Sequence, residues 1–77
     1  MNQAILFNDD LSFEVEDKAY RLSGLLAGEI ITIFFHSITR EYVNEPDVGI
    51  QFELEEVVEA WLEKNEPNGN VIHITIA

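Results

Sequence analysis

The sequence predicts an α+β domain: a small, curved, mainly antiparallel sheet of three to five short strands, packed by one amphipathic helix and a short helical turn. Three observations carry this expectation. Apolar residues alternate with polar ones in the first half of the chain, at the period of a half-buried strand. The spacing then changes to i, i+4, i+7, i+8 between Ile50 and Leu62, one stripe of a helix. Alternation returns in the closing VIHITIA. With 77 residues, the chain makes a single domain over 1–77.

The elements follow in order. Residues 3–7 form a short apolar segment, broken by the turn residues Asn8, Asp9 and Asp10. Leu11, Phe13 and Val15 then alternate with Ser12, Glu14 and Glu16 as a strand, and residues 16–18 read as a tight turn into a strand over 19–26. Ala27-Gly28 is a hairpin signal, because glycine supplies the positive φ of a two-residue loop. The strand over 29–36 is apolar on both faces, with Ile31, Ile33 and Phe35 on one side and Ile30, Thr32 and Phe34 on the other. That pattern marks a central strand covered on both sides.

Ser37 is a candidate N-cap for a helical turn over 37–43, which Asn44-Glu45-Pro46-Asp47 would end. The helix is expected over 52–65, with Ile50, Leu54, Val57, Val58, Trp61 and Leu62 on its buried stripe and Trp61 and Leu62 against the sheet. Phe52 does not fit, since at about 100° per residue it falls among the glutamates. The preferred reading begins the helix after it, with Val48, Ile50 and Phe52 in an extended arm; the other makes Phe52 an exposed anchor. Residues 65–70 stop the helix, and the last strand divides into Val71, His73, Thr75 and Ile72, Ile74, Ile76.

Composition narrows the function. Fifteen acids face four bases, for a net charge of −11. That balance opposes phosphate, so neither direct nucleic-acid binding nor attachment to an anionic membrane is expected. There is no cysteine, which excludes disulfides and thiolate metal sites. No apolar run reaches the ~18 residues of a membrane span, and the N-terminal MNQAILFNDD lacks a basic leader region. A cytoplasmic protein is the default expectation.

Catalytic patterns are weak, and no catalytic, cofactor-binding or metal-ligating residue is assigned. His36 and Ser37 are adjacent, but consecutive strand residues point to opposite faces. The helix glutamates are spaced as a solvated face, and no glycine-rich phosphate loop precedes a helix. A metal site of His36, His73 and a carboxylate would require their strands to be neighbours, and no short HxH or HxxxH spacing exists to support it.

Some of these residues carry a resemblance. The opening MNQAILF, the aromatic Phe13, the strand over 19–22 and the glycine hairpin into EIITIFF resemble a family of short bacterial proteins known as domain of unknown function 1488. The block FELEE running into a helix, then NGNV and a strand, is similar to that family's second half. Between His36 and Phe52 the chain departs from the pattern, which has a longer and more helical middle. The resemblance implies a small α+β fold and supplies no activity, cofactor or site residue.

The leading functional expectation is therefore a non-catalytic interaction or regulatory protein, working through a homodimer or a protein partner. Ile30, Phe34 and Phe52 are the candidate interface residues: one helix cannot cover both faces of the strand over 29–36, and either the arm around residues 5–7 or a second molecule must cover Ile30 and Phe34. One alternative is an acidic inhibitor or nucleic-acid mimic that binds a basic protein. Another is a small enzyme or ligand-binding subunit whose site is completed at a dimer interface.

Overall fold

The computed structural model describes residues 5–14, 16–37 and 48–76. Five strands and one helix follow in the order β1 (Ile5–Phe7), β2 (Ser12–Glu14), β3 (Ala19–Leu26), β4 (Glu29–Ser37), α1 (Val48–Lys64) and β5 (Val71–Ile76). They make one open five-stranded sheet, ordered β1-β3-β4-β5, with β2 also pairing β3. The pairs β1–β3, β2–β3 and β3–β4 are antiparallel, whereas β4–β5 is parallel. The fold is α+β, and the sheet does not close into a barrel.

The β3–β4 hairpin turns on Ala27 and Gly28, both at positive φ (52° and 83°), which matches the right-handed twist of the strands. A parallel β4–β5 pair cannot close through a tight turn, so the chain crosses over through α1. Hydrophobic packing decides how α1 lies: Leu54, Val58 and Leu62 are buried against Leu22, Ile33, Phe35, Ile72 and Ile74. Ile5, Phe7, Phe13 and Ile76 pack round the same core. Burying a side chain of this kind is worth roughly 1.5–3 kcal/mol, and such a small domain has few to spare.

Four expectations need correction. The helix begins at Val48, not at Phe52, because Ile50 packs half-buried on the core as the first residue of the stripe. Phe52 is consequently helical and points to water rather than lying in an extended arm. Trp61 packs against the core but is only half-buried, at the margin of the stripe that Leu62 centres. The segment around residues 5–7 is no lid over the sheet: it joins the sheet as β1, pairing Ile5 with Leu26 and Phe7 with Gly24. Ser37 is the last residue of β4, and the rest of the expected helical turn lies outside the described residues.

Candidate functional site

Because α1 lies over the Ile31, Ile33 and Phe35 side of β4, the other side of the sheet carries no helix among the described residues. The register fixes what this open face displays. Leu6, Leu25 and Ile30 form one row across β1, β3 and β4. Ser23, Thr32 and Val71 form the next, then Ser12, Arg21, Phe34 and His73, then Glu14, Ala19, His36 and Thr75. Leu6 and Ile30 are 69% and 66% exposed, and Leu25 and Val71 are exposed beside them. Phe34 is half-buried, lying nearly parallel to the His73 ring with centroids 5.3 Å apart.

Two polar groups sit within this face. Between β1 and β2 the chain leaves the ladder and folds back on Ser23. The Asn8 amide donates to the Ser23 carbonyl at 2.9 Å, and its side chain donates to Ser23 Oγ. Asp10 accepts from the Ser23 backbone N–H at 3.0 Å and from the Ser23 hydroxyl. The buried Ser23 is thus satisfied by structure, with its hydroxyl hydrogen committed to Asp10 rather than to a base. Nearby, Arg21 Nε lies 3.2 Å from Glu14 Oε1. That buried Nε has no aligned hydrogen-bond acceptor, so the pair is held by charge more than by direction.

The third feature joins β4 to β5. His36 Nε2 and His73 Nδ1 lie 3.0 Å apart. Ring centroids 5.2 Å apart with planes at 21° mean that the rings meet nitrogen to nitrogen, nearly edge-on, without overlapping. One ring donates and the other accepts, according to tautomer. Sequence reasoning could pair these residues only on the condition that their strands were neighbours, because it left the strand order open. The signal available was that both fall on the outward-facing set of their strands.

Of the expected interface residues, the structure brings Ile30 and Phe34 onto the open face. Phe52 lies elsewhere. It is 63% exposed on the outer side of α1, in the company of the exposed Glu56, Glu59 and Glu63, with the whole core between it and the sheet's open face. A shallow cavity of about 370 Å³ opens at the hairpin end, floored by Leu26, Ile31 and Pro67 and rimmed by Glu29 and Glu66. Its two carboxylates are solvated and carry no specific chemistry.

No helix is long and apolar enough to cross a membrane among the described residues. Comparison of the chain with protein-family models, with curated proteins and with solved structures finds no match.

Proposed function

We propose that this chain is a non-catalytic interaction protein that works as a homodimer, joined through the open face of its sheet around Ile30 and Phe34. The observation that carries the reading is the row Leu6, Leu25 and Ile30, large apolar side chains left in water side by side across three strands. Contiguous apolar surface on a small domain is usually an interface. Charge selects a second copy as the occupant. In a chain of net charge −11, the rows of this face hold Arg21 and Glu14, which neutralise one another, with the Asp10 carboxylate hydrogen-bonded to Ser23 beside them, while α1 carries its glutamates elsewhere. Two copies can meet here with few of their acids opposed, and an isologous pair closes on itself. Four strands about 4.8 Å apart and up to nine residues long give a face of roughly 500 Å² in projection, so about 1,000 Å² for the pair, near the threshold for a specific interface. The reading keeps the chain in the bacterial cytoplasm and with the small family it resembles, whose elements it would share in order.

Sedimentation equilibrium at micromolar concentration tests it. The wild-type chain should show a concentration-dependent mass rising to two chains, and Ile30→Glu should give one chain with an unchanged circular dichroism spectrum. A wild-type mass of one chain at every concentration overturns the dimer.

Phe52 favours a second reading, an acidic inhibitor of a basic protein. An exposed aromatic ring among carboxylates offers an apolar anchor inside an anionic patch. Capture of a basic protein that high salt releases and Phe52→Ala abolishes would support it over the dimer.

A further inference from the structure

The edge-on meeting of His36 and His73 has a use beyond a hydrogen bond between neutral rings. We propose that these two residues form a two-nitrogen chelate for a late first-row divalent metal ion. Both ligands come from one chain and lie on the same open face as the proposed dimer contact, at the opposite end of β4 from Ile30.

Three observations carry it. The first is distance. Imidazole nitrogens bind such ions at about 2.0–2.1 Å, so two nitrogens held 3.0 Å apart, here across a hydrogen bond, lie within the span of one ion. The second is support. Each ligand stands on a strand of a hydrogen-bonded ladder that pairs Phe34 with His73 and His36 with Thr75, so the two rings are held as neighbours by the backbone. The Phe34 ring lies alongside His73 and restricts its rotation. The third is access. His73 is exposed and His36 half-buried, which leaves the rings room to swing out of their mutual hydrogen bond until both lone pairs meet at one ion.

Among the described residues no group of three or more His, Cys, Asp or Glu converges. The remaining coordination positions therefore fall to water or to a donor on an incoming molecule, and the ion is exchangeable rather than structural. The net charge of −11 favours a cation near the protein, and Arg21, the cation on this face, is offset by Glu14.

Isothermal titration of the full chain with NiCl₂ at pH 7.5 tests the site. The expected result is one Ni²⁺ per chain. His36→Ala and His73→Ala should each weaken Ni²⁺ binding about tenfold or more, because either change removes the chelate. Both positions lie outside the buried core, and circular dichroism of each variant checks that it is folded. Equal Ni²⁺ affinity in the wild type and both folded variants would show that the acidic surface alone attracts the ion, and would overturn the proposal. Loss in one variant only would overturn the chelate as well.

Discussion

Gly24 in β3 stands so close to Leu6 in β1 that a Cβ at position 24 would lie 3.0 Å from the Leu6 carbonyl oxygen. The side chain of Ile5 closes the same space at 3.1 Å. Glycine is needed at this point for the approach of one strand to another, not for an unusual turn.

Gly24→Ala should therefore push β1 off the sheet edge and destabilise the domain by about 1–3 kcal/mol. Thermal denaturation checks it. An unchanged melting temperature would mean that β1 yields at no cost and contributes little to the fold.

The core under α1 should be far less forgiving. Leu54 and Leu62 are buried on the helix stripe, and either changed to alanine should cost about 2–5 kcal/mol. Trp61→Ala should cost less than the ~3–5 kcal/mol of a fully buried tryptophan, because that ring is only partly buried. Urea denaturation that ranked Trp61→Ala as the worst of the three would contradict the orientation of the helix.

Asp10 should act as a fastener for the break between β1 and β2. Asp10→Ala leaves the backbone N–H and hydroxyl of the buried Ser23 without an acceptor, at a cost of about 1–3 kcal/mol. Hydrogen exchange should show the Ser23 amide losing its protection first, and unaltered protection there would sink the assignment.

Charge crowding on α1 gives a stabilising prediction. Glu59 lies four residues from both Glu55 and Glu63, and like charges at that spacing oppose a helix by about 0.2–0.5 kcal/mol per pair. Glu59→Lys should raise the melting temperature, and added salt should raise that of the wild type more than that of the variant. A wild-type melting temperature indifferent to ionic strength would show that the glutamates barely interact.

Much of this fold was legible. The Ala27-Gly28 hairpin, the two faces of β4, the alternation of Val71 to Ile76 and the stripe from Ile50 to Leu62 all follow from local periodicity. Phe52 misled because periodicity penalises an exposed aromatic ring, whereas the helix as a whole gains more by seating Ile50 and Leu54. The pairing of His36 with His73 was not legible, since it depends on β5 lying beside β4, and strand order is set by packing over the whole chain. Nor did alternation distinguish an edge strand from a lid at residues 5–7: the backbone groups of β3 decided that.

The parallel β4–β5 pair also governs how the chain must reach its native state. The β3–β4 hairpin closes over two residues and can form early, as local contacts do. His36 and His73 are separated by 37 positions, so β5 cannot dock until most of the intervening chain has been ordered, and it bears the larger closure entropy. The hairpin is then the natural folding nucleus, with α1 and β5 assembling after the transition state. Substitutions in β5 should chiefly accelerate unfolding, and substitutions in the hairpin should chiefly slow folding. The histidine pair, which spans the last seam to close, exists only in chains that have completed that final step.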